Sequence, residues 1–135
     1  EKNLCAALKE EPQVNLALEK AKNSDIAFVG LGHFRQDSVL RKSDVIISPD
    51  DLKFLDVQGA VGDISLRFFD QKGNFITGPV DERIVGLTVE EIKKIPRVVG
   101  IAGGNQKLHT VHAALKTKTI DVLITDDKTA TELIK

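Results

Sequence analysis

Methionine is absent from this sequence, which opens at Glu1. A natural start is therefore missing, and we expect the chain to be a piece of something longer. Cysteine occurs once, so no internal disulfide can staple the fold, a usage that fits a reducing cytoplasm. Cys5 shares a helical apolar face with Leu4 and Leu8, and we read it as a packing residue rather than a reactive thiol. No apolar run approaches the roughly 20 residues of a membrane helix, and we expect neither a signal peptide nor a membrane role. The formal net charge is −1, which removes the basic excess expected of a chain that itself grips nucleic acid or an anionic membrane. No repeat, linker or low-complexity segment stands out. What is present is a hydrophobic fraction of 41% and a charged fraction of 29% over 135 residues. That composition belongs to one globular domain at most, long enough to bury a core.

Periodicity supplies the elements. Leu4, Ala7 and Leu8 fall on one helical face, and Val14, Ala17, Leu18 and Ala21 on a second, with Pro12 suited to the first turn of that second helix. Asp25 to Gly32 reads as a buried strand ending in a glycine turn, followed by an irregular polar stretch anchored by Val39 and Leu40. Val45, Ile46 and Ile47 form a short apolar run of unassigned type. Ser48-Pro49-Asp50-Asp51 opens a helix to about Val57, closed by Gly59. Ala60 to Phe69 reads as one strand, turning through Asp70–Asn74 into a second at Phe75-Ile76-Thr77. Thr88-Val89-Glu90-Glu91 is a capping box that starts a short helix ended by Pro96. Then come a strand from Arg97, a glycine turn, a helix carrying Leu108, Val111, Ala114 and Leu115, a strand over Ile120–Ile124, and a last helix capped by Thr125-Asp126-Asp127 that carries Ala130, Leu133 and Ile134. The alternation predicts an α/β fold with a parallel or mixed sheet and helices on its faces.

The segment from Arg97 to Lys107 is the most suggestive chemically. A continuous β-branched run is the mark of a strand covered on both faces. Gly103 and Gly104 permit a sharp turn, the following helix offers unpaired N–H groups, and Lys107 adds a charge, so the turn looks built to hold an anion. Neither a Walker loop nor a dinucleotide fingerprint is matched, and a plain structural turn stays open as the alternative. If the strands ending at Gly30/Gly32, Gly103/Gly104 and Thr125/Asp126 are parallel, their ends line one crevice, where open α/β sheets bind ligands. Asp63 sits in the apolar Ala60–Ile64 run. It is either the polar side of a half-exposed strand or a buried carboxylate available to the hydroxyls of a polyol. His33, just past a glycine turn, is placed to touch a ligand. His109 and His112 are helical neighbours, but no Cys, Asp or Glu completes a metal set around them, and we expect neither a metal nor a cofactor. Arg67 and Arg83 read as salt-bridge partners in preference to phosphate ligands.

The ordered set Asp25–Gly32, Gly59-Ala60-Val61-Gly62-Asp63-Ile64, Arg67–Asp70, Arg83–Leu87, Ile95–Gly104 and Asp121–Asp126 followed by Thr129-Ala130 resembles the effector-binding domain of the SorC family of bacterial transcriptional regulators, sometimes grouped with DeoR-type repressors. The resemblance runs from about Glu11 to the end. It implies a Rossmann-like, mostly parallel sheet with helices on both faces and a hairpin insertion, similar to sugar-phosphate isomerases and CoA transferases. It also implies a non-enzymatic role: a sugar-binding (effector-sensing) domain, partial over 1–135, that binds a phosphorylated sugar and changes operator DNA binding by a helix-turn-helix domain absent from this chain. The implied site places effector on Asp63 and Lys107, with Gly103 and Gly104 accompanying the lysine and Gly30, Gly32 and His33 lining the same end. His33 stands where many relatives have a small polar residue. A glycine/serine/threonine-rich phosphate loop is expected upstream of Glu1. The implied assembly is a cytoplasmic homo-oligomer, a dimer or tetramer. The alternative is a sugar-phosphate isomerase-like enzyme, with an aspartate base and a lysine electrophile as its minimum equipment.

Overall fold

A computed structural model describes residues 2–43 and 47–135. Two helices, α1 (Lys2–Glu10) and α2 (Pro12–Lys22), lead into strand β1 (Ile26–His33). A short helix α3 (Val39–Lys42), helix α4 (Pro49–Val57) and a hairpin of β2 (Ala60–Ile64) and β3 (Arg67–Asp70) follow. The chain then alternates: α5 (Val89–Lys94), β4 (Arg97–Ile101), α6 (Leu108–Lys116), β5 (Val122–Ile124) and α7 (Asp127–Leu133). The sheet order is β3-β2-β1-β4-β5. β1, β4 and β5 are parallel, whereas β2 joins β1, and β3 joins β2, antiparallel. This is the expected mixed α/β sheet, and its three parallel strands do point their carboxyl ends the same way. Among the described residues no helix is long and apolar enough to cross a membrane.

The helix starts follow local chemistry. Glu11 caps α2, its carboxylate accepting from the Gln13 and Val14 amides while Pro12 occupies the first turn. Ser48 caps α4 by accepting from the Asp51 amide at 3.2 Å, and Gly59 beyond its end has φ +75°. The capping box of α5 is complete, Thr88 accepting from the Glu91 amide and Glu91 from the Thr88 amide. Two clusters fill the interior. On one face of the sheet, Val29, Leu31, Val98 and Leu123 pack with Ile92 and Ile95 around α5, with Val111, Ala113 and Ala114 of α6, and with Leu133 of α7. On the other face, Phe34, Ile47, Leu55 and Phe68 pack beneath α4 against the hairpin. Phe68 and Phe69 are neighbours in sequence and point to opposite clusters, as strand alternation requires.

The structure departs from the sequence reading at several points. The single strand expected over Ala60–Phe69 is two strands, because Ser65 and Leu66 take positive φ (52° and 64°) and reverse the chain in two residues. Neither is glycine or asparagine, so the turn carries strain of roughly 1–2 kcal/mol per residue and no familiar turn signature. Relieving part of it by Ser65→Asn is expected to raise the melting temperature by about 2 °C, read by calorimetry; an unchanged value would mean the turn is unstrained. The Asp70–Asn74 turn is real, with Asp70 accepting from the Lys72 and Asn74 amides, but the strand beyond it reduces to one bridge, Phe69 to Phe75. Cys5 is buried at 4% exposure, whereas Leu4 and Leu8 are exposed, so the helical face expected around it is not the packed one. Of the two expected apolar anchors of the polar stretch, Val39 is exposed and Leu40 packs against the second cluster, and Ile134 is exposed beyond the end of α7. Of the apolar run Val45-Ile46-Ile47, the first two lie outside the described residues and Ile47 is buried.

Candidate functional site

The register of the hairpin builds the site. Gly32 of β1 lies opposite Asp63 of β2. A Cβ on Gly32 would fall 2.1 Å from Asp63 Oδ1, so the glycine is what makes room for the carboxylate. One step along, a Cβ on Gly62 would meet Thr110 Cγ2 at 2.4 Å and the Gly32 carbonyl oxygen at 2.6 Å. Here α6 presses directly on the strands, and the Thr110 hydroxyl donates to the Val61 carbonyl at 3.0 Å. Asp63 is therefore buried, at 7% exposure, rather than lying on the polar side of a half-exposed strand. Its Oδ2 accepts the Leu66 N–H at 2.9 Å. The strained turn thus aims an amide at the carboxylate. Burial pushes the Asp63 carboxyl above the usual carboxylate range, opposed by the Leu66 N–H and the charges of Lys107 and His33.

Lys107 ends a 3-10 turn, Asn105–Lys107, that leads into α6. Its Nζ donates to the Leu31 carbonyl at 3.2 Å, which brings the amine to the carboxyl end of β1 beside Asp63. His33 pairs with Gly62, so strand alternation sends it to the opposite face from Asp63. Its Nδ1 is buried without a hydrogen bond, 3.9 Å from an Asp37 carboxylate oxygen. Gly30 shares the Asp63 face and has open space where a Cβ would stand. The structure thus gathers Asp63, Lys107, Gly32 and His33 at one strand end, with Gly30 one pleat away.

The double glycine has a different immediate job from the one its sequence suggested. Gly104, at φ +97°, donates its N–H to Asp126 Oδ2 at 2.7 Å, and a Cβ on Gly103 would fall 2.7 Å from the same oxygen. The anion at this turn is a carboxylate of the chain itself, so the Gly104 amide is not free for a ligand. Asp126 also caps α7, accepting from the Thr129 amide at 2.8 Å and the Thr129 hydroxyl at 2.8 Å. The Thr129 amide first, then the Gly104 amide and the Thr129 hydroxyl, lower its pKa to about 2. A depressed carboxyl stabilises the fold above its unfolded pKa of 3.8, and that contribution fades as pH falls towards about 2. The Gly104 carbonyl accepts the Lys107 N–H at 2.9 Å, so the Asp126 clasp sets where Lys107 begins.

Other candidates resolve into structure. Arg67 is buried, its Nη1 3.0 Å from Asp81 Oδ1 and its Nε donating to the Leu87 carbonyl. Arg83 pairs with Asp51. His109 and His112 are exposed on α6. Among the described residues no three His, Cys, Asp or Glu side chains converge as a metal site. The sequence reading missed the Leu66 amide, because the hairpin turn lacks glycine. Asp126 stands out in the sequence as a helix cap and a strand-end residue, but its bond to the Gly104 amide is not visible there, because that contact spans 22 residues.

A Gly32→Ala substitution is expected to displace the Asp63 carboxylate and lower the melting temperature by roughly 5 °C or more. An unchanged melting temperature by calorimetry would contradict the close packing of Gly32 on Asp63.

The Sugar-bind family matches residues 1–135. Transcriptional regulator LsrR of Klebsiella pneumoniae is 35% identical over 126 residues, which is 91% of this chain and 39% of that protein. A DeoR family transcriptional regulator from Listeria monocytogenes superposes with a TM-score of 0.89 at 31% identity, covering 98% of this chain and 53% of that one. The full-length sorbitol operon regulator SorC of Klebsiella pneumoniae shares the fold, with a TM-score of 0.85 at 21% identity, covering 100% of this chain and 44% of that one. The chain thus spans between 39% and 53% of the length of these proteins.

Proposed function

This chain belongs to the Sugar-bind family, the sugar-binding domains of SorC- and DeoR-type transcriptional regulators, and on that premise we propose that it senses a phosphorylated sugar for such a regulator. The observation that carries the reading is the buried Asp63 carboxylate beside the Lys107 amine at the carboxyl end of β1. A carboxylate accepts hydrogen bonds from sugar hydroxyls, and an ammonium attracts the phosphate. Asp63 accepts the Leu66 amide on one carboxylate oxygen, and Lys107 donates to the neutral Leu31 carbonyl. Effector adds hydroxyl donors to the carboxylate and offers the ammonium an anionic acceptor. Gly32 keeps space beside Asp63, Gly30 leaves the adjoining surface open, and His33 lies close enough to bias the carboxylate. Gly103 and Gly104 act through Lys107 by letting Asp126 hold the turn.

Binding energy realised in only one arrangement of the domain shifts the population towards it. In the regulator that shift alters operator DNA binding by a helix-turn-helix domain outside this chain, within a cytoplasmic dimer or tetramer. The isomerase-like alternative asks Asp63 to act as a base and Lys107 as an electrophile; the relatives named above are regulators, which favours sensing over turnover. The test is a thermal-shift panel on the full-length protein with sugars and their phosphates. Phosphorylated sugars are expected to raise the melting temperature and to remain chemically unchanged. Stabilisation by neutral sugars alone would remove the anion site, and steady consumption of the stabilising compound would make the protein an enzyme.

A further inference from the structure

Where the ladder between β4 and β5 ends, a side chain takes over the tie between the two chain segments. The Ala102 amide donates to the Ile124 carbonyl at 3.1 Å. Two residues further along each segment, the Gly104 amide donates to Asp126 Oδ2 at 2.7 Å. Beyond that bond the turn leading to Lys107 borders an open groove. Asn105 and Leu108 line one side of it, and Asp127, Thr131 and Glu132 of α7 the other. The outer side of the turn is thus not packed on α7, and the Asp126 bond is what ties it there.

Everything after Gly104 inherits its backbone angles. A φ of +97° with a ψ of 141° suits glycine and strains any other residue. The Gly104 carbonyl then accepts the Lys107 N–H at 2.9 Å, closing the Asn105–Lys107 turn. From that turn the amine reaches the Leu31 carbonyl at 3.2 Å, on a strand two places from β5 in the sheet. Charge gives no reason for an acid at this point. A carboxylate held so near Lys107 repels any anion that approaches the amine. Placement does give a reason, since the carboxylate fixes the one backbone amide from which the lysine's turn departs.

We infer that Asp126 is a positioning residue for the Lys107 amine, setting from the end of β5 the reach of a lysine that follows β4. Its consequence for phosphate recognition rests on the sensing role proposed above, whereas the placement itself does not. Two variants break the bond from opposite sides. In Asp126→Asn the side-chain oxygen stays on the Thr129 amide, which keeps α7 capped. The new NH2 group then replaces the oxygen that accepts the Thr129 hydroxyl and the Gly104 amide. A hydroxyl turns to accept from that group, but an amide N–H cannot. The tie to Gly104 is the bond that is lost. In Gly103→Ala the added Cβ falls 2.7 Å from the same oxygen and displaces it, with the carboxylate charge retained.

Acetylation of the full-length protein by acetic anhydride, followed by peptide mass spectrometry, reads the placement at Lys107. Both variants are expected to acetylate Lys107 several-fold faster than wild type. The exposed Lys94 and Lys116 serve as references whose rates stay unchanged. Inorganic phosphate is expected to slow Lys107 in wild type and to slow it less in both variants. An unchanged Lys107 rate in either variant would overturn the proposal, since a rise confined to Asp126→Asn traces to the lost charge. A rise shared by all three lysines would overturn it as well, because that marks general loosening. Faster Lys107 labelling in both variants, without phosphate protection in wild type, upholds the placement and counts against phosphate sensing.

Discussion

Asp63→Asn is expected to melt higher than the wild-type protein in the absence of effector and to lose its response to effector. The carboxylate is buried, and burial is the largest influence on its pKa, raising it above 3.8. The sign follows from linkage. Between the unfolded pKa and the raised folded one, the native state holds more protons than the unfolded state. The contribution of Asp63 to stability is therefore fully present below pH 3.8 and is lost as pH rises through the folded value. At neutral pH the fold carries an ionised group it has partly desolvated. Asparagine keeps an oxygen for the Leu66 amide and removes the charge, for a gain of roughly 2–6 °C in melting temperature. The variant and wild-type stability curves are expected to converge at low pH and separate towards neutrality. Effector affinity falls in the same variant by roughly 10- to 100-fold, the worth of hydrogen bonds to a charged acceptor. A lower melting temperature at neutral pH with effector binding intact would make Asp63 a structural residue.

Lys107→Ala is expected to leave the melting temperature of the unliganded protein nearly unchanged and to abolish its increase with phosphorylated sugars. The Lys107 amine donates to the Leu31 carbonyl at 3.2 Å, at a partly buried position. Its loss costs about 1 kcal/mol or less. The phosphate contact is worth more, on the order of 1.5–3 kcal/mol for a charge-assisted bond. The two variants separate the two ends of the ligand. Asp63→Asn weakens neutral and phosphorylated sugars alike, whereas Lys107→Ala removes the preference for the phosphate. Thermal shift with matched sugar pairs reads both.

The chemistry of helix starts was legible in the sequence because it is local. Ser48, Thr88 and Asp126 each reach an amide three residues away, and their caps are where the residues indicate. The parallel strands were legible from their apolar runs and from the glycines that end them. The hairpin turn was not, because Ser65 and Leu66 adopt a conformation that tertiary contacts impose on residues which disfavour it. The site was half legible. Asp63 and Lys107 stand out by residue type and by the family they resemble. Asp63's burial depends on strand register, which sets Gly32 opposite it. The glycine pair misled in an instructive way. Its N–H does meet an anion, but the partner is Asp126, whose proximity depends on how β5 lies beside β4. Likewise Ile26, Phe28, Ile101, Val122 and Ile124 read from sequence as core but are exposed, since an apolar run does not tell which of a strand's two faces packs.

We propose that Lys107 holds the charged end of a sugar whose hydroxyls meet Asp63. The most direct test is calorimetric titration of one stabilising sugar, with and without its phosphate, into full-length wild-type protein and Lys107→Ala. The wild type is expected to bind the phosphorylated form at least about tenfold more tightly, and most of that preference is expected to disappear in the variant. An equal preference for the phosphate in both proteins would contradict the account, because the anion would then be held elsewhere.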